Sequence, residues 1–260
     1  MNNIQNPSLH FFFFILLSFI TSAQNENTNQ ADYKEITFQT IDSITVYGDL
    51  YTINKETTTI LLFHQGGANA RGEFETIIPK LLNEGFNILA IDLRVGGSSF
   101  YGDSNRTVDN LQSNNYKYCD AYPDLEAALD YLISNKFTSK KILWGSSFGG
   151  ALALQLASKR SKNITAILAF SPSTGNAVIA CHPNPYLETI TVPAIILRPK
   201  SEMERESSVT QFEIAKKYNL QTYIATYGVH ASSMLVEERV KNDVSENWKV
   251  VLEFINKFKN

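Results

Sequence analysis

Short runs of consecutive apolar residues alternate with longer, partly polar stretches of helical pattern along most of this chain. Such runs, about four to eight residues long, are typical of strands that are buried on both faces of a sheet. Strands are predicted near Lys34 to Ile41, Ile44 to Ile53, Thr58 to Phe63, Phe86 to Asp92, Lys141 to Trp144, Ile164 to Phe170, Val192 to Leu197 and Leu220 to Tyr227. Helices are predicted over Glu73 to Asn83, Asp120 to Asn135, Ala151 to Arg160, Ser208 to Tyr218 and Ser245 to Phe258. The alternation predicts an α/β domain whose mostly parallel sheet is covered by helices on both faces.

Two long segments interrupt this pattern. Gly96 to Tyr118 and Ser171 to Thr191 have no strong periodicity, and loops this long in a compact domain are usually functional. They are the only material from which a lid could be built, so we expect no separate cap domain. The first two strands, joined by Asp42 and Ser43, are predicted to form an antiparallel edge of the sheet.

A serine between two glycines is the strongest candidate for chemistry. Ser147 is the centre of Gly145-Ser146-Ser147-Phe148-Gly149, between a predicted strand and a predicted helix. This spacing fits a nucleophile elbow, a tight turn in which only glycine leaves room on either side of the serine. The hydroxyl would lie at the carboxyl edge of the sheet, next to a helix N-terminus that favours negative charge. The same five residues also occur in turns that merely join two elements, so the interpretation depends on partner residues.

A serine nucleophile needs a histidine that accepts its proton and an acid that orients the histidine. His230 fits best, because it follows a predicted strand and completes the order serine, acid, histidine that accompanies this elbow. No aspartate lies between Ser147 and His230, so the acid must be a glutamate. Glu202, a short turn after the strand Val192 to Leu197, is the preferred acid, and Glu204 is the alternative. The remaining glutamates in this interval are Glu188, Glu206 and Glu213.

A glycine-rich turn after the strand Thr58 to Phe63 is a candidate oxyanion site. The turn reads His64-Gln65-Gly66-Gly67-Ala68-Asn69, and adjacent glycines let backbone N–H groups approach a ligand closely. The predicted donors are the N–H groups of Phe148 and Gly66, with Gln65 as the alternative to Gly66. Three further polar residues near these turns are expected to brace them rather than to react: His64, Asp92 and Arg94.

Taken together, these motifs resemble those of the α/β hydrolases and are most similar to the compact dienelactone hydrolase-like branch. The matching pieces are Leu61 to Gly67, Ile91 to Arg94, Gly145 to Gly149, Pro193 to Glu202 and Gly228 to His230. The resemblance implies a hydrolase of esters or related acyl compounds that uses the triad Ser147, Glu202 and His230, and no cofactor or metal ion is expected. Dienelactone hydrolases carry a cysteine where this chain has Ser147, so their substrate is not implied. Many relatives have His-Gly where this chain has His64-Gln65, so we expect Gln65 to shape the acyl site.

Length and charge limit the choice of function. With 260 residues, 43% of them hydrophobic, the chain is large enough for one α/β domain with a sizeable core. Its 23 Lys and Arg residues against 26 Asp and Glu give a net charge of −3, and no basic run suggests nucleic acid as a partner. The substrate implied by the resemblance is instead a small-molecule ester or related acyl compound. The alternatives are an amidase or peptidase with the same triad and a non-catalytic binding protein that has kept the fold.

The N-terminus resembles an export signal. The ten residues Phe11 to Ile20 are nearly all apolar and precede Thr21-Ser22-Ala23-Gln24 and a polar tract. The stretch is too short to span a bilayer but fits the core of a signal peptide with a small-residue cleavage site. We expect a signal peptide over residues 1–23, a polar tail over 24–32 and a hydrolase domain over 33–260. The mature protein would then be periplasmic or secreted, with no membrane span.

The two cysteines bear on the loops over the site. In an exported protein, an even number of cysteines permits a disulfide. Cys119 and Cys181 both fall in loops expected at the carboxyl edge of the sheet. A bond between them is therefore one prediction, and two unpaired buried thiols are the alternative.

Overall fold

An eight-stranded sheet forms the centre of the protein in the computed structural model, which describes residue 1 and residues 32–260. The strands are β1 (Asp32–Gln39), β2 (Thr45–Thr52), β3 (Thr59–Phe63), β4 (Asn87–Asp92), β5 (Lys141–Ser146), β6 (Ala166–Phe170), β7 (Ala194–Pro199) and β8 (Gln221–Ala225). Their spatial order is β1-β2-β4-β3-β5-β6-β7-β8. The pairs β1·β2 and β2·β4 are antiparallel and the other neighbours are parallel. The predicted mostly parallel sheet with an antiparallel edge is confirmed.

Helices cover both faces of this sheet. They are α1 (Ala70–Phe74), α2 (Ile77–Asn83), α3 (Arg106–Asp109), α4 (Tyr122–Ser134), α5 (Phe148–Lys159), α6 (Asn184–Leu187), α7 (Glu206–Lys217), α8 (Glu237–Val240) and α9 (Ser245–Ile255). On β4, Leu89 and Ile91 join a core cluster with residues of α4, α5 and α7, whereas Ile88 and Ala90 join a second cluster with residues of α1, α2 and α9. Because successive side chains of a strand point to opposite faces, a strand that is apolar at every position is suited to two covered faces.

The predicted helix over Glu73 to Asn83 is two helices in the structure. Pro79 has no backbone N–H to donate to residue 75, so one continuous helix cannot form through this region. The first helix also begins earlier than predicted, because the Asn69 side chain caps it by accepting the Gly72 N–H at 2.7 Å. This cap places the glycine-rich turn directly against the start of α1.

The two long loops carry short helical segments. The first contains α3, and the second contains a 3₁₀ turn, Asn176–Cys181, followed by α6. Cys119, in the 3₁₀ turn Tyr118–Ala121, forms a disulfide with Cys181, with their Cα atoms 5.5 Å apart. The disulfide prediction is confirmed, and the bond ties the two loops together.

The N-terminal predictions lie outside the described residues. The signal peptide over 1–23 and most of the tail over 24–32 are not covered, and the sheet begins at Asp32. Between residues 32 and 260, every helix is too short or too polar to cross a bilayer.

Candidate active site

Ser147 occupies a strained turn between β5 and α5. Its φ of 54° and ψ of −117° lie in a region that residues other than glycine rarely adopt. A Cβ atom on Gly145 would lie 2.5 Å from the carbonyl oxygen of Gly149, and one on Gly149 would lie 2.7 Å from that of His64. Glycine is therefore needed on both sides of the serine, as the Gly-x-Ser-x-Gly spacing predicts.

The hydroxyl group of Ser147 is half-buried at the N-terminus of α5. Ser147 Oγ shares a hydrogen bond with Ser173 Oγ at 3.0 Å. In the part of the chain that the structure describes, no hydrogen bond joins Ser147 to His230. Ser173, in the loop after β6, is thus the residue that holds the serine hydroxyl.

His230 and Glu202 are paired. Nδ1 of His230 lies 2.5 Å from Oε1 of Glu202, whose side chain is buried in the 3₁₀ turn Lys200–Glu204 after β7. The His230 side chain is 46% exposed. Glu204, the alternative acid, is exposed, as are Glu188, Glu206 and Glu213. Of the glutamates between the serine and the histidine, the structure brings Glu202 to the histidine.

The pKa of the Glu202 carboxyl is below its usual range. Burial raises this pKa, but the hydrogen bond and charge of His230 and the charge of Arg198 more than offset that effect. Arg198 donates from Nη1 to Glu202 Oε2 at 2.6 Å. The carboxylate therefore stays ionised and can orient the histidine ring.

A three-residue segment after β6, Ser171-Pro172-Ser173, contacts every part of this arrangement. Ser171 Oγ accepts the N–H of Ala231, next to His230, at 3.0 Å, and its hydroxyl lowers the pKa of Glu202. The Pro172 carbonyl accepts a hydrogen bond from Arg198, and Ser173 reaches Ser147. The sequence pattern indicated no role for this segment, since it only began a loop without periodicity. Its position directly after a buried parallel strand was the signal that could have drawn attention to it.

Two backbone N–H groups, one in the elbow and one in the glycine-rich turn, are candidates for binding an oxyanion. In the described part of the chain, neither the Gly66 N–H nor the Phe148 N–H has a hydrogen-bond acceptor. The N–H of Gln65 donates to Glu73 Oε2 at 2.7 Å, so Gln65 is wrong as an alternative oxyanion donor. Gly66 and Phe148 remain the candidate donors.

His64 braces this turn, as predicted. It is completely buried, and its Nδ1 lies 2.8 Å from the Gln65 carbonyl oxygen. Its Nε2 accepts the Leu93 N–H at 2.9 Å. Burial lowers the pKa of His64, which suits a neutral ring that donates through one nitrogen and accepts through the other.

Asp92 and Arg94 brace the turn after β4, also as predicted. Asp92 accepts the Ala70 N–H at 2.9 Å and a hydrogen bond from Arg106 Nε at 2.7 Å. Arg94 is buried and forms an ion pair with Asp124 at 2.7 Å. Both side chains are fully engaged within the fold.

Glu73 is a buried carboxyl group that sequence reasoning missed, because the pattern marked it only as the start of a helix. It accepts the Gln65 N–H from beneath the oxyanion turn. Burial raises its pKa to about 7, against the opposing effects of hydrogen bonds from Ser146 and the Gln65 N–H. Glu73 therefore fixes the turn while carrying a proton over part of the neutral range.

Aromatic side chains line the approach to the site. The Tyr118 ring stacks on Phe148 with centroids 4.6 Å apart, and a Cβ on Gly66 would lie 2.9 Å from Tyr118 Cζ. Tyr118 also lines a cavity of about 570 Å³, with Tyr116 and Ile179. Tyr101, by contrast, lines a different cavity, beside α1 and α2.

Gln65 is held at the edge of the site. Its side-chain Nε2 donates to the Tyr101 hydroxyl at 2.8 Å, and that hydroxyl lies 2.7 Å from Ser233 Oγ. The Arg239 guanidinium stacks over the Tyr101 ring at 3.6 Å. The side chain that replaces the glycine of many relatives is thus fixed in one position.

The site contains a serine hydroxyl, a histidine paired with a carboxylate, and two backbone N–H groups without a hydrogen-bond acceptor in the described residues. Between residues 32 and 260, no cluster of three or more His, Cys, Asp or Glu side chains is placed to hold a metal ion. The chemistry available from the residues present is nucleophilic and acid–base.

A parallel sheet with a serine elbow at its carboxyl edge, followed along the chain by an acid and a histidine, defines the α/β-hydrolase class of fold. This chain belongs to that family. The family model for the alpha/beta hydrolase fold matches residues 58–200, more than half of the chain. The family predicted from the sequence is confirmed.

Solved structures agree with this assignment. The chain is similar to an esterase of Pyrococcus furiosus, with a TM-score of 0.68, 17% identity and coverage of 96% of this chain and 99% of that one. For a dienelactone hydrolase from Anabaena variabilis, the TM-score is 0.65 at 16% identity, with coverage of 89% and 100%. For a carboxyl esterase from Bacillus coagulans, it is 0.65 at 13% identity, with coverage of 87% and 98%. At these identities the similarity establishes the fold.

Proposed function

We propose that this protein is an exported serine hydrolase that cleaves carboxylic esters through an acyl-enzyme on Ser147. The observation that carries the proposal is the hydrogen bond between His230 Nδ1 and Glu202 Oε1 at 2.5 Å, at the same edge of the sheet as the strained Ser147 turn. A buried carboxylate on one ring nitrogen fixes the tautomer that leaves the other nitrogen free to accept a proton. The esterases of similar fold support an ester as the substrate.

Acylation begins when Ser147 Oγ exchanges its hydrogen bond to Ser173 for one to His230 Nε2. His230 takes the hydroxyl proton as Oγ attacks the ester carbonyl carbon, and Glu202 stabilises the resulting imidazolium. The carbonyl oxygen becomes an oxyanion that accepts from the N–H groups of Gly66 and Phe148. His230 then returns the proton to the leaving alkoxide, and the alcohol departs.

Deacylation repeats these steps with water. His230 removes a proton from a water molecule, whose oxygen attacks the acyl carbon on Ser147. Collapse of the second oxyanion breaks the bond to Ser147 Oγ, and His230 gives that oxygen its proton back. The products are a carboxylic acid and the regenerated serine.

A fluorophosphonate probe tests the nucleophile. We expect it to label the wild-type protein at Ser147, and Ser147→Ala to lose both labelling and turnover of a p-nitrophenyl ester. Ser146→Ala is the matched control, because Ser146 is completely buried and its hydroxyl lies 2.5 Å from Ser232 Oγ. Loss of labelling in the Ser146 variant alone would move the nucleophile, and no labelling of the wild type would favour a binding protein.

A substrate panel separates ester from amide hydrolysis. The structures of similar fold also include an acylaminoacyl peptidase of Pyrococcus horikoshii, of which this chain covers 42%. We expect turnover of p-nitrophenyl esters to exceed that of aminoacyl anilides. The reverse preference would assign the same triad to an amidase or peptidase.

The disulfide supports the export part of the proposal, because such bonds persist in oxidising compartments. Cleavage after Ala23 would leave 237 of the 260 residues, since 260 − 23 = 237. The mass of the protein recovered from the periplasm or medium of an expressing bacterium tests this. An N-terminus other than Gln24 would move the cleavage site, and retention of the full chain in the cytoplasm would contradict export.

A further inference from the structure

The acid of the proposed triad is hydrogen-bonded to a buried arginine. Arg198, on β7, is 3% exposed and donates from Nη1 to Glu202 Oε2 at 2.6 Å. From Nη2 it donates to Gln211 Oε1 at 2.7 Å and to the Pro172 carbonyl oxygen. One guanidinium therefore joins the turn after β7, the loop after β6 and helix α7.

These contacts divide the two oxygens of Glu202 between two partners. Oε2 faces Arg198 and Oε1 faces His230. Gln211, which helps to hold Arg198, is itself held through its Nε2 by Asn184 Oδ1 at 3.1 Å. Since the planar guanidinium offers its donors in a rigid fork, its position fixes which carboxylate oxygen is left for the histidine.

We propose that Arg198 is a positioning residue for the triad, which aims Glu202 at His230 and limits how strongly Glu202 holds the proton on that histidine. The inference rests on the proposed function, because it concerns how the triad works. It adds a buried, charged side chain to the three residues that the motifs indicate.

The electrostatic argument follows from the charges around Glu202. The groups that face the carboxylate are Arg198 from β7, His230 after β8 and the Ser171 hydroxyl after β6. His230 also interacts electrostatically with the Glu73 carboxyl group of α1, which all the variants compared below keep. Arg205 adds a second positive charge that acts on Arg198. A carboxylate already paired with a fixed guanidinium attracts the proton on His230 less than an unpaired one would. Removal of the guanidinium charge should therefore strengthen the attraction of Glu202 for a proton on His230.

The test is the pH dependence of kcat/KM for two variants. Arg198→Gln keeps hydrogen-bond donors but removes the charge, so the acid limb should move to higher pH by about one pH unit. Arg198→Lys keeps the charge but cannot reach three acceptors at once. For it we expect the acid limb to stay in place while kcat falls about tenfold with little change in KM.

Arg94→Gln is the matched control. Arg94 is also buried and paired, with Asp124 at 2.7 Å, but it contacts no member of the triad. Its removal should leave the acid limb where it is in the wild type. An equal shift in Arg94→Gln would overturn the inference, because it would reflect the loss of any buried positive charge.

Two further outcomes separate the inference from the proposed function. If Arg198→Gln does not fold, Arg198→Lys decides alone: a fall in kcat at constant KM supports positioning, and wild-type kcat overturns it. If Ser147→Ala is inactive while both Arg198 variants keep the wild-type profile, the triad stands and this inference fails. If Ser147→Ala keeps its turnover, the proposed function is contradicted, and the inference that rests on it is contradicted as well.

Discussion

At the scale of single residues, the environment of Glu202 sets the behaviour of the site. Its side chain is buried, its two oxygens have different partners, and its pKa lies below the usual range. An acid with a depressed pKa stays charged through the neutral range, so the pairing with His230 persists wherever the fold does.

Replacement of Glu202 by Gln should therefore lower kcat by about 10⁴-fold, as removal of the charged acid does in a serine protease triad. The amide cannot stabilise an imidazolium, and it can present an N–H group where His230 needs an acceptor. The measurement is ester turnover at saturating substrate, with Glu204→Gln as the exposed control that keeps wild-type activity. A collapse of activity in Glu204→Gln instead would transfer the acid role to that residue.

The pKa of the Glu73 carboxyl is shifted in the opposite direction to that of Glu202, and this shift makes the free energy of unfolding depend on pH. Its folded-state pKa of about 7 exceeds the ordinary value of 4.5 for a glutamate, so between these values the folded protein holds a proton that the unfolded chain releases. This contribution therefore becomes less favourable as the pH rises from about 4.5 to 7, by up to about 3 kcal/mol in total.

Glu73→Gln should remove that dependence while it keeps an oxygen that accepts the Gln65 N–H. The free energy of unfolding of the variant, relative to wild type, should increase between pH 5 and pH 8, by up to about 3 kcal/mol. Denaturant titrations of both proteins at the two pH values make the comparison. Parallel pH dependences would mean that Glu73 is ionised in the fold throughout.

At the scale of elements, the disulfide joins two short 3₁₀ turns that would otherwise be connected through 62 residues of chain. Cys119 follows Tyr118, whose ring stacks on Phe148. The bond therefore fixes the aromatic side chains next to a candidate oxyanion donor, whereas Ser147, Glu202 and His230 are placed by turns at the sheet edge, where Glu202 and His230 also hold each other.

Reduction of the disulfide should lower the free energy of unfolding by about 2 to 4 kcal/mol and raise KM with little effect on kcat. The double variant Cys119→Ser, Cys181→Ser should match the reduced protein and be insensitive to reductant. Thermal melts and steady-state kinetics with and without reductant provide the measurements. An unchanged melting temperature on reduction would show that the loops hold their positions without the bond.

Most of the strands and long helices could be predicted from the sequence, because their signals are local. The nucleophile turn needs Gly145 and Gly149 at fixed spacing, and buried parallel strands need apolar residues at every position. Pro79 was also a local signal, but the helical pattern around it concealed the break between α1 and α2. Short helices such as α3 have too few residues for a periodic pattern to be visible.

At the scale of the whole molecule, the contacts that complete the candidate site could not be predicted. Ser147, Ser171 and Arg198 follow or lie on different strands, and only the strand order β5-β6-β7-β8 brings them together. The same holds for Glu73, which reaches the Gln65 N–H because the turn folds back on α1. The spacing of residues along the chain does not reveal such tertiary contacts. The sequence therefore indicated the candidate triad but not the residues that support it.

The Ser171-Pro172-Ser173 segment also determines how the site can open. The Ser147 N–H donates to the Phe170 carbonyl at 2.9 Å, the Ser171 N–H to Leu197 at 2.7 Å, the Ser173 N–H to Ser147 at 3.1 Å and the Ala231 N–H to Ser171 Oγ at 3.0 Å. Because Ser147 and Ser171 each take part in two of these bonds, we expect the four bonds to open together. These four amide hydrogens should exchange with solvent deuterium at one common slow rate, close to that of global unfolding, although all four lie outside the strands. Loop-like exchange of the Ser173 amide alone would show that the segment moves independently of the groups it contacts.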